Sequence, residues 1–140
     1  MAHQPAIRHP FVAAWRCQLT REEPAAAVQG IENWFEAVRF RRRLEACLSH
    51  LDLTLHQWLV LEGTRQVIVE QGDATSQLQV AERVEMNEMT LSRLMRGLDE
   101  RGLVDRSDSF MSPALRILVT NSGKALLSRA RKAIVAQGCP

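Results

Sequence analysis

The chain has 140 residues, of which 46% are hydrophobic and 24% charged, and its formal net charge is +2. These values are typical of one globular domain, and they exclude a disordered, collagen-like or strongly basic coat protein. No apolar run approaches the roughly 18 residues of a membrane helix, and no signal peptide is evident, so we expect no membrane partner.

The first half of the chain predicts an N-terminal extension followed by two helices. A long helix is expected from Ala25 to about His50, with one apolar stripe at Ile31, Trp34, Phe35 and Val38 and a second at Leu44, Cys47, Leu48 and Leu51. Thr54 and Gln57 have the spacing of a capping box, which predicts a second helix that runs to about Glu70. Its Leu55, Trp58, Leu59 and Leu61 are expected to face inward.

The middle of the chain predicts two short helices joined by a tight turn. Ser76 and Gln79 form another capping-box pattern, and Asn87 suits the N-cap of the next helix. Gly102 suits its left-handed C-terminal end. Helices of about 10 and 14 residues with three or four residues between them match a helix-turn-helix.

A β-hairpin and a last helix follow. The short runs 103–106 and 115–119 are partly β-branched, and the turn-rich stretch 107–114 between them predicts a hairpin with a long tip. Thr120 or Asn121 then begins a helix that reaches about Ala136. We therefore expect a mainly α (α+β) fold: a winged helix-turn-helix with a two-stranded wing and terminal helices that form a dimer.

The residues offer little for catalysis or cofactor binding. Nucleophile-elbow, phosphate-loop, dinucleotide and zinc-protease motifs are absent from the sequence. The four histidines are scattered, and Cys17, Cys47 and Cys139 include no CxxC pair, so no metal or cofactor is predicted. The cysteine pattern favours a reducing cytoplasm. We expect a protein that is not an enzyme.

The run from Val80 to Arg106, VAERVEMNEMTLSRLMRGLDERGLVDR, resembles the core pattern LAxxLxxxxxTVTRLVDxLExxGLVxR of the MarR family of bacterial transcription regulators. Val119 to Gly123 resembles the family's LTxxG motif, and Leu53 to Trp58 resembles its LTxxQW motif. The match spans roughly residues 51–134. The resemblance implies a homodimer that binds a pseudo-palindromic DNA operator, often as a repressor released by small phenolic or aromatic acids.

The exposed front of the expected recognition helix carries Asn87, Glu88, Met89, Thr90, Ser92, Arg93 and Arg96. Hydroxyl and guanidinium groups can bond base edges or phosphates, and Arg93 is the candidate for bidentate binding of guanine. The predicted DNA-contact set is Ser76, Asn87, Thr90, Ser92, Arg93, Arg96, Arg106 and Arg116. Ser76 is included because its backbone N–H at a helix N-terminus can bind a phosphate.

The wing departs from the family pattern. The Asp-Arg-Arg turn of the family's wing is replaced by Met111, Ser112 and Pro113, so Arg106 and Arg116 beside the wing are the candidates for phosphate contacts. The segment from Glu82 to Arg106 holds six acids and five arginines, which predicts modest affinity for DNA.

The domain organisation predicted from these motifs has three parts. Residues 1–50 form an N-terminal extension and a long dimerisation helix, residues 51–120 the DNA-binding domain, and residues 121–140 a C-terminal dimerisation helix. The family's further C-terminal helix is missing, so we expect residues 7–38 to pair with the last helix of the partner subunit.

An effector pocket is expected where the first two helices meet the dimer helices. Its candidate residues are Arg43, Cys47, His50, Leu55, Trp58 and Leu59, which offer an apolar slot and a guanidinium for an aromatic acid. The alternative is that these are ordinary core and surface residues.

Cys17 beside Arg16 is the candidate redox sensor, but the chain has no tyrosine to support its thiolate. The alternative to DNA binding is a winged-helix module that binds another protein.

Overall fold

The computed structural model describes residues 25–109 and 112–138, which form five helices and one two-stranded sheet in the order expected from the sequence. The elements are α1 (Ala25–Ser49), α2 (Leu55–Gln71), α3 (Gln77–Val84), α4 (Glu88–Glu100), β1 (Val104–Ser109), β2 (Ser112–Val119) and α5 (Asn121–Ala136). The chain divides into two units between Arg39 and Phe40. The winged helix-turn-helix lies wholly in the second unit.

Polar caps begin four of the helices, as the sequence predicts. Thr54 and Ser76 each form a complete capping box, with Gln57 and Gln79 respectively. The side chain of Asn87 accepts the N–H of Thr90 at 2.8 Å and begins α4. Such caps satisfy amide groups that have no partner within the helix.

The helix-turn-helix is formed by α3, a three-residue turn and α4. Glu85 in the turn has the left-handed conformation (φ 53°), which lets the Met86 N–H reach the Ala81 carbonyl at 3.0 Å. Gly63 of α2 fixes how closely α3 packs, because a Cβ there would stand 2.5 Å from Val84 Cγ1. The fully buried Leu91, Met95 and Leu98 of α4 anchor the pair to the core.

The wing is longer in its strands and shorter at its tip than expected. β1 and β2 are antiparallel from the pair Val104–Val119 out to Ser109–Ser112, with an irregularity at Asp108/Ser109. The predicted long tip over 107–114 is therefore wrong, since only two residues separate the strands. The backbone ladder continues through polar residues because it needs main-chain groups rather than apolar side chains.

Thr75 joins the wing to the loop before α3. Its N–H and carbonyl exchange hydrogen bonds with those of Ile117, at 3.1 and 2.8 Å. Asp73 in the same loop pairs with Arg116 of β2 at 2.6 Å. These contacts fix the base of the wing against the start of the helix-turn-helix.

The two apolar stripes of α1 have different surroundings. Leu44, Cys47 and Leu48 are buried in the core, as expected. In the first stripe, Trp34 is 68% and Phe35 56% accessible and Ile31 is also exposed, whereas Val38 is half-buried. Leu59 of α2 was expected to face inward, but it is exposed as well.

Several expectations concern residues outside the described ranges. These are Cys17 with the rest of residues 1–24 of the N-terminal extension, Met111 of the wing, and Cys139. Within the described ranges, none of the helices combines the length and the apolar composition needed to cross a membrane.

Candidate nucleic-acid interface

The candidate DNA-reading surface is the face of α4 opposite its buried residues. Thr90, Arg93 and Arg96 are exposed and Ser92 is half-buried, whereas Leu91, Met95 and Leu98 are fully buried. Among the ion pairs of the described residues, none involves Arg93 or Arg96. Both guanidinium groups are therefore placed to meet an external partner.

The Asn87 side chain caps the N-terminus of α4. Its Oδ1 accepts the Thr90 N–H, which leaves the amide nitrogen of the side chain as its donor toward DNA.

The predicted role of the Ser76 N–H in phosphate binding conflicts with the structure. That N–H donates to Gln79 Oε1 at 3.0 Å, because the capping box uses it.

The two wing arginines have different surroundings. Arg116 is paired with Asp73, whose pKa lies below its usual value because the carboxylate accepts the Ala74 N–H and faces Arg116. A phosphate would have to compete with this carboxylate. Arg106 is half-buried on β1, and its Nε is buried with no hydrogen-bond partner in the described part of the chain.

Among the cavities formed by the described residues, none brings together the six residues predicted for the effector pocket. Arg43 and His50 are exposed, Cys47 is in the core, and Leu59 is at the surface. Leu55 lines a separate polar cleft of about 610 Å³, beside His56 and Arg101. Of the six, only Trp58 lines the apolar cavity between α1, α2 and α5.

That apolar cavity has a volume of about 230 Å³. It is lined by Phe40, Leu44, Trp58, Glu62, Leu127, Arg131, Ile134 and Val135. The positively charged residue in its lining is Arg131 and not the predicted Arg43. A guanidinium nitrogen of Arg131 lies 3.4 Å from a carboxylate oxygen of Glu62. The sequence did not point to Arg131 because Glu62, the acid beside it in the cavity, is 69 residues away in the chain.

Glu62 is the acidic centre of this region. Burial would raise the pKa of its carboxyl, but hydrogen bonds from Arg65 and Gln66 and the charges of Arg65 and Arg131 hold it below the usual 4.5. Arg65 binds it through two nitrogens, at 2.6 and 3.0 Å. Bidentate pairs of this kind are stronger than ordinary hydrogen bonds.

Replacing Glu62 with glutamine should make stability less dependent on pH. Because the pKa is lower in the folded chain, the carboxylate stabilises the fold above about pH 4.5, and this contribution is lost as the pH falls through the folded value. We expect E62Q to lose about 1 kcal/mol at pH 7, and we expect its difference from the parent to shrink as the pH falls below 4.5 through the folded pKa of Glu62. Urea unfolding of both proteins at a series of decreasing pH values measures this difference. E45Q, which breaks an exposed pair with Arg41, should stay within about 0.5 kcal/mol; equal losses in both variants would contradict the assignment.

Comparison with known proteins gives no sequence-level match. No protein-family model matches the chain, and no curated protein does. Solved structures, in contrast, match at high probability.

Three of these structures are bacterial regulators. A MarR-family transcriptional regulator from Rhodococcus sp. RHA1 is 20% identical, with a TM-score of 0.70 over 84% of this chain and 80% of that one. A MarR-family protein from Mycobacterium tuberculosis, in complex with p-aminosalicylic acid, is 25% identical, with a TM-score of 0.61 over 78% and 79%. A mutant of MarR from E. coli, complexed with operator DNA, is 20% identical, with a TM-score of 0.64 over 75% and 72%.

The fold and the exposed face of α4 define a winged helix-turn-helix protein. Within that class, the chain has the fold of MarR-family regulators.

Proposed function

We propose that the chain is a homodimeric, MarR-like transcriptional regulator that binds double-stranded DNA with α4 in the major groove. The observation that carries this proposal is the outward face of α4, which presents Arg93 and Arg96 on a helix-turn-helix tied to a wing. A helix of this length fits the major groove of B-DNA. The E. coli neighbour of the same fold is complexed with operator DNA.

Selection of bound sequences from a random DNA pool tests DNA binding directly. We expect enrichment of a pseudo-palindrome whose half-sites lie about one helical turn apart. The near-neutral reading segment should give a log-log salt slope shallower than about −6, since each phosphate contacted contributes about 0.9. Lack of enrichment at low salt would favour the alternative of a protein-interaction module, which the acidic residues between Glu82 and Arg106 support.

The exposed stripe on α1 supports the homodimer. Val28, Ile31, Trp34 and Phe35 form an apolar surface that a soluble monomer rarely leaves open. The stripe is flanked by Glu32 and Glu36, whereas α5 carries four cations and no acid. A groove of about 530 Å³ along α5, lined by apolar and basic residues, is the complementary surface that we assign to the second copy.

Charges on the α1 stripe should therefore dissociate the dimer. We expect the double variant I31K/F35K to be monomeric by light scattering at concentrations where the parent is dimeric, because each new ammonium group would be buried against the basic groove of α5. N33K carries a new positive charge on the same helix, away from the stripe, and should remain dimeric. A dimeric I31K/F35K would place the interface elsewhere.

The cavity between α1, α2 and α5 is the proposed effector site. Its volume of about 230 Å³ is below the roughly 300–1,000 Å³ typical of drug-sized ligands, so it suits a single aromatic ring. Trp58 and Phe40 supply apolar walls, and Arg131 supplies a guanidinium for a carboxylate. The mycobacterial neighbour is in complex with p-aminosalicylic acid, which combines an aromatic ring with a carboxylate.

Removing the Arg131 guanidinium should weaken an aromatic acid. With salicylate as the probe, we expect R131A to lose at least about tenfold in affinity by calorimetry, since a charged hydrogen bond contributes about 1.5–3 kcal/mol. R129A removes a cation from the same helix outside the cavity and should bind like the parent. Equal affinities in R131A and the parent would exclude Arg131 as the carboxylate partner.

A further inference from the structure

The outward face of α4 contains one apolar residue, and neither the fold nor the predicted contact set gives it a role. Residues at positions 89, 93 and 96 recur at intervals of four and three, so they form one line along the helix. This line lies opposite the buried Leu91 and Met95. Two members are arginines, and the first is Met89.

The side chain of Met89 is 70% accessible, whereas the other large apolar residues of α4 are buried or half-buried. It contributes no packing to the core cluster, and it occupies the first turn of α4. In helix-turn-helix proteins, residues near the start of the recognition helix reach base edges. An unbranched apolar side chain there matches one feature of the major groove, the C5-methyl group of thymine.

We propose that Met89 determines sequence specificity by contacting a thymine methyl group in each half-site of the operator. This inference rests on the proposed DNA-binding function and adds to it the identity of a base. Thr90 and Ser92 lie to either side of the line, where they face the sugar-phosphate walls of the groove rather than its floor.

The spacing of the line predicts where this thymine lies. Met89 and Arg93 are four residues apart, which is about 6 Å along the helix axis. Base pairs are stacked about 3.4 Å apart, so the two side chains reach positions about two base pairs from each other. If Arg93 binds guanine, the methyl-bearing thymine lies within about two base pairs of that guanine, on either strand.

Replacing thymine with deoxyuridine tests the contact at the level of one methyl group. Each thymine of the selected site is replaced in turn, and the affinities of the parent and of M89A are measured by fluorescence anisotropy. We expect one thymine per half-site at which demethylation weakens the parent about fourfold, the effect of one buried methyl group. M89A should bind both DNAs equally. V69A, which shortens an exposed apolar residue of α2, should discriminate like the parent.

The possible failures can be told apart. A selected site without any methyl-sensitive thymine, or a sensitivity that persists in M89A, overturns the role of Met89 and leaves DNA binding intact. A protein that enriches no sequence overturns the proposed function, and this inference with it. Because Met89 is exposed, M89A should unfold at the parent's temperature, and this measurement separates impaired recognition from impaired folding.

Discussion

Arg93→Ala is expected to remove sequence-specific DNA binding while leaving the dimer and weak, sequence-independent binding in place. A bidentate arginine–guanine contact contributes about 1–3 kcal/mol, and a dimer makes it twice. The resulting loss of about 2–6 kcal/mol corresponds to at least roughly 30-fold in affinity for the selected site. Competition between this site and scrambled DNA measures the effect.

Two further variants separate base recognition from charge. R93K keeps the positive charge but not the planar fork, so it should retain the salt slope and lose the preference for the selected site. R96A should weaken binding to all sequences equally and reduce the salt slope by about 1 for each phosphate that Arg96 neutralises in the parent. A preference that survives in R93A would show that other side chains read the operator.

Gly123→Ala is expected to destabilise the fold by about 3 kcal/mol, the upper end for an overpacked site. A Cβ at this position would overlap the carbonyl oxygen of Leu103 and stand 2.8 Å from Val119 Cγ1. The carbonyl cannot move aside easily, since it also accepts the Thr120 N–H at 3.1 Å. The melting temperature should fall by roughly 10 °C, measured at constant protein concentration because the protein is a proposed dimer.

Gly97→Ala is the matched control for this substitution. Gly97 also lies in a helix, but no atom lies within 4 Å of the position that its Cβ would occupy. Alanine should therefore stabilise α4 by about 0.5–1 kcal/mol through helix propensity. Similar destabilisation in both variants would mean that the close approach of Leu103 does not limit position 123.

The packing at Gly123 gives a physical reason for the Thr-x-x-Gly pattern. The Thr120 hydroxyl accepts the Gly123 N–H at 3.1 Å and donates to the Gly102 carbonyl at 2.6 Å. Threonine thus caps α5 and binds the turn that follows α4, while glycine lets α5 approach β1. The motif joins the end of α4, the base of the wing and the last helix.

Local signals in the sequence determined the helices and their order. Capping residues such as Thr54 and Asn87 act within three residues of themselves, so their spacing alone predicted where α2 and α4 begin. The apolar periodicity of α4 likewise predicted which face is buried, and therefore which face can meet DNA.

Contacts between residues distant in the chain were decided only by the tertiary structure. The cavity beside Trp58 takes its guanidinium from Arg131 of α5, and Arg116 of the wing is paired with Asp73. Periodicity identifies the buried face of a helix but not the element that packs against it. The sequence by itself therefore determined the winged helix-turn-helix, whereas three-dimensional packing decided which charged groups remain available to a ligand or to DNA.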